Sequence, residues 1–178
     1  MNLQNTKRVH GSGRRLISIL VTGLLFAACS KPVQAPSAQE IGKDTACILD
    51  GMLLADFPGP KAQIHYERGG PDFFCDTKEM FSILLHPEEK KRVVAVYTQD
   101  MGRADWAHPQ DNWIDARTAF FVVGSKMMGS MGPTIGSFAT EATAQTFASR
   151  NGGKVLRFDQ VTLDMVDLSG GVMNDKSM

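Results

Sequence analysis

The chain has 178 residues, 19 basic and 19 acidic side chains, 43% hydrophobic residues, 10 methionines and three cysteines. That length suits one domain or two small lobes sharing a core. No Lys/Arg cluster speaks for nucleic acid, and the chain lacks the four closely spaced nitrogen and sulfur ligands of a zinc finger.

Lys7, Arg8, Arg14 and Arg15 precede an apolar run over 16–28. Its 13 residues are too few to span a bilayer comfortably and match a signal-peptide h-region. The run ends in Leu25-Phe26-Ala27-Ala28-Cys29, small residues before a cysteine, which is the lipobox pattern. Residues 1–28 are therefore expected to be removed and Cys29 to be diacylated. Each buried acyl methylene contributes about 0.8 kcal/mol to membrane attachment. Ordinary cleavage after Ala28 without lipid is the alternative. Ser30 at the next position favours sorting to the outer membrane of a Gram-negative cell. Loss of the four basic residues in 1–28 leaves a mature net charge of −4. Residues 29–44, with Pro32, Pro36, Ser37 and Gly42, have few apolar side chains and read as a flexible tether. Residues 169–178 read as a frayed tail.

Between these ends the order of elements recurs. In the first lobe, 45–112, short strands are expected at 62–66 and 72–75 around a Gly69-Gly70-Pro71 turn. Asp76 with Glu79 then forms a capping box. The helix carries Met80, Ile83 and Leu84 on one face and stops before Pro87, and a buried strand follows at 93–97. In the second lobe, 113–168, strands are expected at 119–123 and 135–138, with Thr140 as helix cap. Asn151-Gly152-Gly153 ends that helix, and a strand follows at 155–158. A shift of 64 residues lays Asp76 on Thr140 and Met80 on Ala144. Two ββαβ lobes in an α+β fold follow from this order.

The chemistry sits in loops. Cys47 and Met52 flank an Asp50-Gly51 turn, and Met127-Met128-Gly129-Ser130-Met131 lies in a second glycine-rich loop. Thiol and thioether donors together are what Cu(I) prefers, and hard cations do not accept thioethers. Methionine also fills cores, so packing and ligand roles both stay open for Met127, Met128 and Met131. Cys47 and Cys75 are the two thiols left after lipidation, and in an oxidising compartment a disulfide between them is a further possibility. No Gly-x-Ser-x-Gly, phosphate-cradling loop or His-Glu-x-x-His occurs, which leaves a cysteine enzyme as the one catalytic alternative.

Several segments in combination resemble the NosL family, lipoproteins accessory to nitrous oxide reductase. They are Cys47…Asp50-Gly51-Met52, Gly59-Pro60-Lys61-Ala62-Gln63-Ile64-His65, Trp113-Ile114-Asp115-Ala116-Arg117, Val123-Gly124-Ser125 and Ser130-Met131-Gly132-Pro133. The likeness covers nearly all of the mature chain. It implies two ββαβ lobes related to the organomercurial lyase fold. It also implies a monomeric copper chaperone, not an enzyme, that carries Cu(I) in the periplasm of denitrifying bacteria. The implied partners are nitrous oxide reductase and its membrane ABC-type maturation complex. The implied ligands are Cys47, Met52 and Met131, with His65 as a further donor; Met127 and Met128 are extras to the pattern and weaker candidates. The rival readings are a thiol enzyme using Cys47 and Cys75 on that scaffold, and a structural lipoprotein without metal.

Overall fold

The computed structural model describes residues 35–86, 88 and 91–166. The expected signal segment, the Cys29 lipidation site and the tail from 169 lie outside these residues. In chain order the first half comprises β1 (Ala62–Tyr66), β2 (Asp72–Phe74), α1 (Thr77–Leu84), β3 (Val93–Gln99) and β4 (Trp113–Asp115). The second half comprises β5 (Phe120–Val123), the short strands β6 (Met128–Gly129) and β7 (Gly132–Pro133), β8 (Gly136–Phe138), α2 (Glu141–Asn151) and β9 (Lys154–Arg157).

Among the described residues all strand pairings are antiparallel, with sheet orders β2-β1-β3-β4 and β8-β5-β9, and β6 pairs only with β7. In both sheets the first strand of the half is flanked by its second and by the strand after the helix. This is the α+β arrangement the recurring order predicts. The helices start on equivalent residues as well, with Asp76 capping α1 and Thr140 capping α2. One boundary differs. Trp113–Asp115, expected to open the second lobe, pairs with β3 through Gln99↔Trp113 and Tyr97↔Asp115. β3 is seven residues long and would otherwise leave an open sheet edge, which β4 covers.

Strand alternation sorts β1. Ala62, Ile64 and Tyr66 enter the main core, while Gln63 and His65 project from the other face. That core also holds Phe74, Met80 and Phe81 from the first half and Phe121 and Ile135 from the second. Phe81 and Phe121 meet edge to face, with ring centroids 4.9 Å apart. A polar seam joins the sheets beside this apolar contact. Ser137 Oγ donates to the Gln99 carbonyl at 2.6 Å and lies 2.9 Å from Thr98 Oγ1. Thr77 Oγ1 donates to the Ile135 carbonyl at 2.6 Å.

Composition predicts a free tether up to residue 44, but residues 36–41 are held against the first sheet. Tyr97 donates its hydroxyl to the Pro36 carbonyl at 2.7 Å, and Trp113 Nε1 donates to Glu40 at 3.2 Å. The Gln63 amide exchanges two hydrogen bonds with the Gln39 backbone, each 2.9 Å. The partners are polar groups on distant strands, which local composition does not reveal.

Candidate metal centre

Three segments meet at the start of α1. The first is the loop that carries Cys47. Ala46 and Leu53 form an antiparallel bridge, and Cys47 N–H donates to the Met52 carbonyl at 2.8 Å. Gly51 turns the chain with φ +76°, a conformation glycine adopts without steric cost, and Asp50 Oδ1 accepts from Met52 N–H at 2.9 Å. Cys47 and Met52 thus stand side by side at the base of a tight loop. Ile48 N–H then donates to the Phe73 carbonyl at 2.9 Å, which ties the loop to the edge of β2. Cys75 follows β2 directly, so that single bond brings the two cysteines together.

The second segment is the capping box. Its Glu79 folds back so that Oε2 accepts from Cys75 N–H at 3.0 Å and Asp76 N–H at 3.3 Å. The same oxygen lies 3.3 Å from Cys47 Sγ and 3.2 Å from Cys75 Sγ. Both cysteines are buried free thiols, so the disulfide considered from the sequence is absent from this structure.

The third segment is the β6–β7 hairpin. Ser130 Oγ donates to the Cys75 carbonyl at 2.9 Å, and Thr134 Oγ1 donates to Asp76 Oδ1 at 2.6 Å. A Cβ on Gly129 would lie 2.4 Å from Asp76 Oδ2, so only glycine allows this approach. The hairpin thereby lies over the first turn of α1 and delivers Met131. Among the described residues, the partly buried hydrophobic side chains packed against Cys47, Leu54 and Cys75 are Ile41, Met52, Phe73 and Met131.

The result is two thiols and two thioethers in one apolar pocket, with carboxylates at its border. Donor atoms of Cys47, Asp50, Cys75 and Glu79 all lie within 4.8 Å of one another. A hydrogen bond from Cys75 holds the Cys47 thiol down at about 6, which favours its thiolate form. That shared bond and burial push Cys75 up, leaving it the proton carrier of the pair. Burial, reinforced by the Cys47 charge, raises Glu79 to about 7. Beneath them Lys61 is fully buried, and Nζ donates to the carbonyls of Pro58 at 3.0 Å and Cys75 at 3.1 Å. Burial lowers Lys61 to about 8, opposed by the negative groups around it.

The sequence candidates therefore separate. Cys47, Met52 and Met131 converge, and Met128 is exposed on β6. Met127 lies just before β6, and neither it nor Met128 packs on the cysteine cluster. His65 stays apart. It lies in β1, four residues beyond Lys61 or about 13 Å at the usual rise per residue, and is not in the donor group of Cys47, Asp50, Cys75 and Glu79. Its Nε2 lies 2.7 Å from Gln63 Oε1, and its ring stands edge-on to Tyr97. Sequence reasoning misses three residues of the group. Asp50 reads from the sequence as part of a turn, Glu79 as a cap, and Cys75 as a disulfide or catalytic partner, none of them as a metal neighbour.

Comparisons with known proteins agree with this architecture. The NosL family model matches residues 38–166. The copper-binding lipoprotein NosL of Stutzerimonas stutzeri is 39% identical over 153 residues, covering 85% of this chain and 80% of the relative. Its counterpart from Achromobacter cycloclastes is 35% identical over 158 residues, covering 85% and 82%. The crystal structure of the copper chaperone NosL from Shewanella denitrificans superposes with a TM-score of 0.69 at 44% identity, covering 72% of this chain and 97% of that one. These names describe copper binding and chaperoning, not catalysis. The chain belongs to the NosL family.

Proposed function

We propose that this protein carries Cu(I) on Cys47, Met52 and Met131, anchored on the periplasmic side by lipid on Cys29. It delivers the ion for maturation of the copper centres of nitrous oxide reductase. The observation that carries this reading is the meeting of the buried Cys47 thiol with the Met52 and Met131 thioethers in one apolar cluster. Soft sulfur donors favour Cu(I) over the hard cations. The thiolate supplies strong binding, while neutral thioethers give bonds that a recipient can displace one at a time. The lipid anchor is supported by the cysteine at the end of the apolar run and by the relatives, which are named lipoproteins. The outer membrane, the reductase and its ABC-type maturation complex follow from Ser30 and from the family likeness.

Titration of the reduced protein with Cu(I) against a competing chelator tests the carriage. One ion is expected to be retained through dialysis, and failure to retain it overturns the reading. Incorporation of labelled fatty acid, lost in Cys29→Ser, tests the anchor. Transfer is tested by mixing loaded protein with copper-free reductase or the membrane complex and following which acquires the metal.

A further inference from the structure

We propose that Cys75 is a second thiolate ligand of the copper ion, so that a buried Cys47–Cys75 pair holds the metal and the methionines close its outer side. This inference rests on the Cu(I) reading above and deepens it. Three independent features of the site support it.

The first is distance. Two thiolates bound to one metal at about 2.3 Å each stand no more than about 4.6 Å apart. The donor atoms here lie within 4.8 Å of one another, and both sulfurs touch the same Glu79 oxygen. Little movement of either side chain separates this arrangement from a bridging one.

The second is charge. Lys61 is an ammonium sealed from solvent, and a buried charge needs compensation. Among the described residues the ion pairs are Lys91–Asp72 and Arg92–Glu67, and Lys61 binds two carbonyls instead of a carboxylate. One of those carbonyls belongs to Cys75. Coordination by Cys47 and Cys75 as thiolates, any thiol proton passing to water, leaves a Cu(I) dithiolate of charge −1 beside this ammonium. A single thiolate would leave a neutral copper complex, with Asp76 and Glu79 as the remaining acidic neighbours of the lysine.

The third is depth. Cys75 is fully buried and Cys47 is 3% exposed, whereas Met52 and Met131 are only partly buried. The loop beyond them exposes Ile48, Leu49 and Leu53. The thiols therefore form the floor of the pocket and the thioethers its exchangeable face. Cys75 also supplies a second thiol that the Cys47–Met52 loop lacks, since Asp50 stands inside that loop.

The test uses the full reduced chain in detergent, loaded with one equivalent of Cu(I). X-ray absorption should count one sulfur neighbour fewer in Cys75→Ser than in the unsubstituted protein. Competition with a Cu(I) chelator should show affinity weakened by about 10–100-fold or more. Unchanged sulfur count and affinity in Cys75→Ser overturn the proposal while leaving Cu(I) carriage intact. No Cu(I) retained by the unsubstituted protein overturns both. If Cys75→Ser does not fold, the unsubstituted protein labelled with 13C at the cysteine Cβ decides the matter. Large shifts of both the Cys47 and Cys75 signals on adding Cu(I) are expected, and a shift confined to Cys47 overturns the assignment.

Discussion

The two halves share one topology but treat the start of their helix in opposite ways. In the second half Thr140 caps α2 with an exposed hydroxyl that accepts from Thr143 N–H at 3.2 Å, and Ala144 is the only buried residue of that helix among those described. In the first half Asp76 and Glu79 cap α1 while buried, and Met80, Phe81 and Ser82 go under with them. The difference comes from one insertion. β1 and β2 are joined by a short turn, but the matching connection between β5 and β8 carries the β6–β7 hairpin, which covers the start of α1. One half thus supplies the lid for a site built by the other. An ordinary capping motif becomes part of a candidate metal site once it is covered.

Substitutions at the covered helix start should change copper handling, and those at the open one should not. The largest effect is expected for Cys47→Ala. Its Cu(I) affinity should fall by more than the roughly 10–100-fold typical of removing a residue behind a ligand. Met52→Ala and Met131→Ala should each lose far less in the same chelator competition.

The next effect is on stability. Burial raises Asp76 from an ordinary 3.8 to about 6, and its Oδ2 has no hydrogen-bond partner. Folding therefore favours the protonated carboxyl. Its stabilisation is full below pH 3.8 and is lost as pH rises through 6. For the metal-free protein the change is on the order of 3 kcal/mol. Urea unfolding at pH 4 and pH 7 should show this fall, with Glu79, raised to about 7, adding to it in the same direction, and Asp76→Asn should reduce it.

Gly129→Ala should cost about 1–3 kcal/mol by forcing the hairpin off Asp76. It should also weaken Cu(I) binding, because Met131 travels with the hairpin. Equal copper affinity in this variant would show that the lid is irrelevant to the site. The smallest effect is expected for Thr140→Ala. Loss of that cap should cost about 1 kcal/mol in thermal or urea unfolding and leave copper affinity unchanged.

Much of this was readable from the residues. The strand at 62–66, the Asp76–Glu79 box and the 64-residue offset between helix caps all depend on local pattern, and all appear where the pattern puts them. The convergence of Met52 and Met131 on Cys47 could be expected only from family likeness, because it depends on two loops packing across the molecule. Cys75 was illegible as part of a metal site for the same reason. Its place beside Cys47 follows from the Ile48–Phe73 backbone bond, which leaves no mark in composition or spacing. His65 shows the converse. It looks like a ligand by residue type, yet strand geometry keeps it with Gln63 and Tyr97. The strap at 36–41 carries polar, proline-containing sequence and is nonetheless pinned by Tyr97, Gln63 and Trp113.

The Ser137 seam has a mechanical consequence. Its hydroxyl clasps the end of β3, and the Phe81–Phe121 contact fills the space beside it, so the sheets cannot part like a clamshell without breaking both. Under the proposed carriage, an ion held at the helix start would leave through the loops while the scaffold stays shut. A recipient that offers its own sulfur or imidazole at the methionine side would then draw the ion out by successive bond exchange, with no large hinge motion to drive.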